Sequence, residues 1–164
     1  MCIRDRNNTN ADSYDGGGVD NGGTFNMYGG SITGNTATGK TSSGGVYSRG
    51  GSTFNMSGGS ITDNSGVVAG AMYLLGTLNL SGAPTIAGNT ANGIENNVYL
   101  RNADKTITVV DDGMKASASV GITGIAGNTV VTGTTSATGF FSDNMDYELV
   151  NDGNNGLKLS LIHI

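Results

Sequence analysis

The nonapeptide FNMSGGSIT (residues 54–62) occurs a second time as FNMYGGSIT (residues 25–33), with Tyr28 in the place of Ser57. The same slot is filled by LNLSGAPTI (residues 78–86) and then by ITV (residues 107–109). The steps along the chain are 29, 24 and 29 residues. A repeat of this length indicates a solenoid or another repeat architecture.

Each period holds three short apolar segments that are separated by Gly, Asn and Ser, which favour turns. Ahead of the repeated slot lies a group such as GGVY, and behind it lies an isoleucine. Within the slot, apolar Phe54 and Met56 flank polar Asn55, and this alternation is typical of a strand. Because such short strands are unstable alone, we predict that each stacks at about 4.8 Å on its counterpart in the next repeat. The predicted interior columns are Phe25, Phe54, Leu78 and Ile107; Met27, Met56, Leu80 and Val109; and Ile32, Ile61 and Ile86.

The sequence therefore predicts an all-β protein, a right-handed parallel β-helix of about four three-faced turns over residues 7–112. The Gly-Gly corners disappear after this point, and residues 113–158 contain segments typical of ordinary strands. The last of these predicts a hairpin with NDGNNG as its turn and with Tyr147, Leu149 and Leu157 on one face. We expect this region to form a β cap, because the open end of a solenoid exposes apolar columns and unpaired backbone.

The two terminal hexapeptides, MCIRDR (residues 1–6) and LSLIHI (residues 159–164), are predicted to be foreign to the protein. One coding sequence for the first, ATG TGT ATA AGA GAC AGN, has a reverse complement that translates in frame as the second. The shared oligonucleotide resembles the mosaic end of a transposase-based sequencing library. We therefore expect a metagenomic fragment whose native part is residues 7–158.

Alignment of the repeats places Asp5 in the apolar slot of Ile32. Since burial of an unpaired carboxylate costs several kcal/mol, we expect residues 1–6 not to dock as a strand. The first complete turn would then keep an open edge over the Phe25 column. We expect the chain to self-associate through this N-terminal edge.

Composition excludes several kinds of chemistry. Cys2 and His163 are the only residues of their types, and both lie in the terminal hexapeptides. Residues 7–158 therefore cannot form a disulfide, a Cys/His zinc site or a His-centred triad. The sequence predicts no catalytic residues, no metal site and no cofactor.

Charge narrows the choice of partners. The chain has 8 basic and 13 acidic residues, and without Arg4, Arg6 and Asp5 the counts are 6 and 12, a net charge of about −6. A nucleic acid or an anionic membrane would require a basic face. No apolar run is long enough to cross a membrane. We expect neither a nucleic-acid partner nor membrane insertion.

A column of asparagines follows the third segment of each repeat, at Asn8, Asn35, Asn64 and Asn89. Stacked amides can form a ladder in which each NH₂ group donates to the carbonyl of its neighbour. Alternatively, these asparagines serve only as corner residues, because Asn tolerates left-handed backbone. Both interpretations are structural.

Another column is formed by Tyr47, Tyr73 and Tyr99, which recur at a spacing of 26 residues. If Val46, the residue before Tyr47, points inward, the rings point outward and form an aromatic strip on which sugar rings could stack. The alternative is a tyrosine ladder that stabilises the strands by packing. The strip is the one candidate binding site in the repeats.

Carboxylates offer the remaining route to catalysis. Asp12, Asp15 and Asp20 fall within one stretch, and a polysaccharide lyase would use acidic side chains to hold Ca²⁺, with Arg or Lys as the base. The next repeat has no acids at the matching positions. We expect these three to be solvated loop residues. If the structure placed the three carboxylates together beside an Arg or Lys, that arrangement would favour a lyase.

The segments GGGVDNGGTFNMYGGSITGNTA and GGVYSRGGSTFNMSGGSITDNS resemble the repeats of right-handed parallel β-helix proteins, the pectate-lyase-like superfold. More narrowly, they resemble the Gly-Gly-Val or Gly-Gly-Ala repeats of large bacterial surface proteins and, more loosely, polymorphic outer-membrane proteins. The resemblance extends to about residue 112, and the segments NNVYLRNADKTITV and DYELVNDGNNGLKL resemble the closing turn and cap of the same surface proteins.

Two classes of function follow from the residues and this resemblance. The first is a noncatalytic structural or adhesive module of a secreted or surface-anchored bacterial protein, extracellular or at the cell surface, in contact with polysaccharide or host matrix. The second is a fragment of a polysaccharide lyase or glycoside hydrolase, since the superfold also carries these enzymes.

Overall fold

The computed structural model describes residues 2–12 and 14–162. Met1, His163 and Ile164, which belong to the terminal hexapeptides, lie outside the described residues. Within the described ranges every regular element is a strand. In chain order the strands are β1 (Cys2–Arg6), β2 (Thr9–Asn10), β3 (Val19–Asn21), β4 (Thr24–Met27), β5 (Gly29–Thr33), β6 (Thr36–Ala37), β7 (Val46–Ser48), β8 (Thr53–Met56), β9 (Ser60–Thr62), β10 (Ser65–Gly66), β11 (Met72–Leu74), β12 (Thr77–Gly82), β13 (Thr85–Ala87), β14 (Thr90–Ala91), β15 (Ile94–Glu95), β16 (Val98–Leu100), β17 (Ile107–Met114), β18 (Ser119–Thr123), β19 (Thr129–Thr132), β20 (Phe140–Ser142), β21 (Tyr147–Asn151) and β22 (Gly156–Leu161).

The strands form stacked parallel coils, which confirms the predicted fold class of a parallel β-solenoid. The coils number about five, whereas the sequence predicted about four. A complete turn contains four strands, for example β7, β8, β9 and β10, and each pairs in parallel with its counterpart in the next turn. The fourth strand of each turn was not predicted. It is only two residues long, as in Ser65–Gly66, and is too short to show alternation.

The pairing register reproduces the predicted interior columns. Phe25, Phe54, Leu78 and Ile107 are successive partners in the seven-stranded sheet. Phe54, Met56 and Ile61 are buried, as predicted, with at most 1% of their surface exposed. Like side chains stack because parallel strands in register place equivalent residues directly above one another.

The coil closes at β18, which pairs with two different faces of the solenoid. Its first part pairs with β13 through Ser119 and Val120, and its last part pairs with β16 through Ile122 and Thr123. Two faces thereby join into one ten-stranded sheet. Gly121 lies between the two parts, where a side chain would collide with Asn97 and Asp143.

The C-terminal strands cover the end of the core. Strand β19 continues the seven-stranded sheet in parallel, and the β21–β22 hairpin adds to it in the antiparallel direction. Val131 and Leu157 are buried in the same cluster as the repeat columns, and Tyr147 and Leu149 pack against it. Leu159, from the terminal hexapeptide, is also buried there.

Residues 2–6 dock as strand β1, so the prediction that they would remain undocked is wrong. Strand β1 pairs with β5, and Asp5 lies beside Ile32 in the register that the alignment indicated. The Asp5 carboxylate accepts hydrogen bonds from the side-chain amides of Asn8 and Asn35 at 2.6 and 3.2 Å. It is half-buried and has partners, so the penalty for an unpaired buried charge does not apply.

The first complete turn, which contains β3, β4, β5 and β6, keeps two open strand edges. Within the described residues, β3 and β4 each end a sheet and have a neighbour on one side only. Phe25 stacks on Phe54 with ring centroids 4.8 Å apart, yet it remains only partly buried.

In the part of the chain that the structure describes, no helix is long and apolar enough to span a membrane.

Truncation of Phe54 to Ala should destabilise the solenoid by roughly 3–5 kcal/mol, because it removes a buried ring that packs between two turns. Denaturant unfolding followed by circular dichroism measures this loss. The control is Ser57→Ala, an exposed position on the same turn. A cost below about 1 kcal/mol for Phe54→Ala would contradict the packing described here.

Candidate functional site

The three tyrosines of the predicted strip are stacked in register on the first face of the solenoid. Tyr47 pairs with Tyr73, and Tyr73 pairs with Tyr99. Their ring centroids lie 5.2 and 5.7 Å apart. The rings form a cluster separate from the main core, together with Ala69 and the partly buried Val68.

The stack is covered instead of forming an open strip. Only 4% of the surface of Tyr47 and 1% of that of Tyr73 are exposed. The guanidinium of Arg49 lies 5.5 Å from the centroid of the Tyr47 ring, and Nη1 of Arg101 donates a 2.9 Å hydrogen bond to the Tyr73 hydroxyl. Burial raises the pKa of Tyr47 above its ordinary value. Tyr47 and Tyr73 therefore offer almost no ring surface to a sugar in this structure, and Tyr99 is half-buried.

The interior asparagines form a continuous hydrogen-bonded ladder. Nδ2 of Asn35 donates to Oδ1 of Asn64 at 3.1 Å, and Nδ2 of Asn64 donates to Oδ1 of Asn89 at 2.9 Å. Each of these oxygens also accepts the backbone N–H of the preceding asparagine in the ladder, at 3.0 Å. Asn8 joins through its backbone N–H, which donates to Oδ1 of Asn35 at 3.0 Å.

The left-handed corner lies one residue before each ladder position. Asn7, Gly34, Asp63 and Gly88 have φ angles of 59°, 67°, 57° and 68°. The ladder asparagines that follow them do not have positive φ. The corner conformation therefore does not account for the asparagine column, and the amide hydrogen bonds do.

Two residues that the sequence did not indicate extend the ladder to the closing strand. Asn97 accepts from Nδ2 of Asn89 at 2.8 Å, and it donates from its backbone N–H and Nδ2 to the Asp143 carboxylate at 2.6 Å each. Thr123 donates to the same carboxylate at 2.7 Å. Asp143 thus ends the ladder with a group that only accepts. Asn97 lies in NNVY (residues 96–99), where the two preceding repeats have GGVY and GAMY, and its spacing of 8 residues from Asn89 is outside the period.

The acidic stretch is held by one arginine. Arg49 forms ion pairs with Asp15 and Asp20, and its Nε donates to Asp20 at 2.7 Å. The hydrogen bond to Asp20 raises the pKa of Arg49 above its ordinary value. The contact of Asp12 is local, because its backbone N–H donates a hydrogen bond to Oδ1 of Asn10. Among the described residues no group of three or more Asp, Glu, His or Cys side chains is arranged to hold a metal ion.

A groove lies on the outside of the seven-stranded sheet. A second amide ladder lines it, in which Nδ2 of Asn55 donates to Oδ1 of Asn26 at 2.7 Å and Nδ2 of Asn79 donates to Oδ1 of Asn55 at 2.8 Å. Its cavity volume is about 250 Å³. Tyr28 and Asp111 also line this space. We refer to it as the outer groove.

Local irregularity builds one wall of the outer groove. Strand β17 departs from the register of β12, because Leu80 pairs with Val109 whereas Gly82 pairs with Met114. The extra residues form a bulge in which Asp111 adopts a φ of 52°. Bulges often redirect side chains next to functional sites. The sequence showed the Asn column as the polar member of each strand but gave no sign of this wall.

No protein-family model matches the chain, and no curated protein or solved structure is significantly similar to it. The structure itself defines the class, which is a parallel β-solenoid.

Replacement of Asn64 by Ala should destabilise the protein by roughly 2–5 kcal/mol, because it removes the acceptor of the buried backbone N–H of Asn35 and the hydrogen bonds that Nδ2 of Asn64 donates to Asn89 and to the Ile32 carbonyl. The control is Asn55→Ala in the outer ladder, where water can replace the lost bonds and the cost should be about 1 kcal/mol or less. Urea unfolding of both variants measures the difference. Equal costs at the two positions would show that the interior ladder contributes no more than an exposed one.

Proposed function

We propose that the chain is a noncatalytic structural and adhesive module of a secreted or surface-anchored bacterial protein, positioned outside the cell or at its surface. The observation that supports this proposal is the uninterrupted connection between turns. Backbone pairing, apolar columns and the interior ladder run together from Asn8 to Asp143. A solenoid bonded in this way is a stiff spacer, since each repeat is fixed by its neighbours.

The outer faces of the spacer are suited to contact with polysaccharide or host matrix. Their positions are free of the packing demands of the interior, and in the outer groove they present amides, a hydroxyl-bearing ring and a carboxylate. The net charge of −5 disfavours polyanionic partners such as nucleic acids. The resemblance to bacterial surface repeats supports the same location.

A polysaccharide lyase or hydrolase is the second candidate, and the contact of Arg49 with Asp15 and Asp20 favours it. A lyase of this superfold would use such an arginine as a base. The two carboxylates oppose that role, because they stabilise the protonated guanidinium and raise its pKa. Arg49 is better explained as a clamp that holds the acidic loop over Tyr47.

Incubation with pectin, alginate and xylan, with and without Ca²⁺, should give no turnover. Unsaturated products are followed by ultraviolet absorbance and new reducing ends by a colorimetric assay. Cleavage of any of the three polysaccharides would contradict the noncatalytic proposal. If cleavage were also lost in Arg49→Lys, the lyase alternative would replace it.

The N-terminal edge supports a second partner, another copy of the same chain. Strands β3 and β4 present unpaired backbone groups, and the Phe25 column is incompletely covered. Open edges over apolar side chains promote association between chains. Strand β1 shields only the neighbouring face.

Analytical ultracentrifugation at ~100 μM should show self-association of the chain. Thr24→Lys places a charge on the exposed side of edge strand β4 and should shift the chain toward monomer. The matched control is Thr77→Lys, which lies in the same outward column but on interior strand β12. A monomeric parent chain, or equal effects of the two substitutions, would exclude association through this edge.

A further inference from the structure

We propose that the outer groove binds a neutral, linear polysaccharide whose chain runs along the solenoid axis. This inference rests on the proposed adhesive function and specifies its ligand. It is carried by the outer amide ladder, by the exposed ring of Tyr28 and by the charge of the groove.

The ladder supplies an array of hydrogen-bond donors with a fixed repeat. Each amide NH₂ has two N–H groups, and the ladder uses one from Asn55 and one from Asn79. The second N–H of each, and both N–H groups of Asn26, have no partner among the described residues. These donors recur at the inter-turn distance of about 4.8 Å. That distance is close to the length of one pyranose residue in an extended chain, so each consecutive sugar comes within reach of one amide donor.

Tyr28 supplies the apolar contact that a sugar ring requires. It is 64% exposed at the edge of the groove, and its equivalents in the next two turns are Ser57 and Ser81. Tyr28 is also the single difference between the two nonapeptides, and this difference lies outside the core. An aromatic face at one end of a row of polar donors matches a pyranose, which has an apolar face and a hydroxyl rim.

Charge selects among polysaccharides. No Lys or Arg is among the residues that line the groove, and the carboxylate of Asp111 is its negatively charged member. A polyuronate or a sulfated glycan would meet that carboxylate and the net charge of −5 without a compensating cation. A neutral glycan meets no such repulsion, and its hydroxyls can donate to Asp111.

Affinity electrophoresis of the full chain tests this inference, with mixed-linkage β-glucan, xylan or glucomannan in the gel as neutral probes and polygalacturonate or alginate as charged probes. At least one neutral probe should retard the chain, and the charged probes should not. Tyr28→Ser, which copies the residue of the next turn, should weaken the neutral interaction about five- to tenfold. Asn55→Thr, which copies Thr108 of the same column, should weaken it as well. Tyr14→Ser, at an exposed tyrosine outside the groove, should leave it unchanged.

The outcomes separate this inference from the proposed function. Absence of retardation by all three neutral probes, preference for a charged probe, or equal binding by the Tyr28→Ser variant would overturn the neutral-glycan site. Each of these results leaves the noncatalytic module intact. Cleavage of a polysaccharide during the experiment would instead overturn the noncatalytic function, even if Tyr28 proved necessary for binding.

Discussion

The structure depends on one constraint, that each turn must pair its backbone with the turn above it. Short strands are stable here only because their hydrogen bonds are completed by the neighbouring turns. Parallel pairing in register places the same position of successive repeats in contact, as with Phe25 and Phe54. The interior positions must therefore be alike, whereas outward positions such as Tyr28 and Ser57 are free to differ.

The interior amide ladder satisfies the same constraint with polar groups. A buried amide is tolerated when its hydrogen bonds are complete, and here each asparagine finds its partner in the equivalent asparagine of the next turn. The preceding left-handed residue, such as Asp63 before Asn64, turns the chain so that the amide enters the interior. Where the repeat ends, Asn97 and Asp143 replace the missing turn and close the ladder.

The two faces with tyrosine or asparagine columns show how covering segments determine what a repeat can contact. On the first face, Arg49 and Arg101 contact the stacked rings and the segment around Val68 packs against them, so the column stabilises the strands. On the seven-stranded sheet, the bulge near Asp111 forms only a side wall, and the amides remain accessible in a groove. The tyrosine column and the outer asparagine column both follow the repeat, but the tyrosines form a packed cluster and the asparagines line an open groove.

The sequence by itself determined the period, the pairing register and the interior columns. These follow from local alternation and from repetition, because equivalent residues of a stacked coil have equivalent neighbours. Only the tertiary structure decided the burial of Tyr47, the docking of residues 2–6, the junction at β18 and the contact of Asn97 with Asp143. The docking of residues 2–6 follows the repeat register but depends on the hydrogen bonds that Asn8 and Asn35 donate to Asp5. The others depend on segments that do not repeat and that meet over long separations, 46 residues for the last contact. A periodic pattern carries no information about such contacts, because they depend on how the non-repeating loops pack against the faces of the coil.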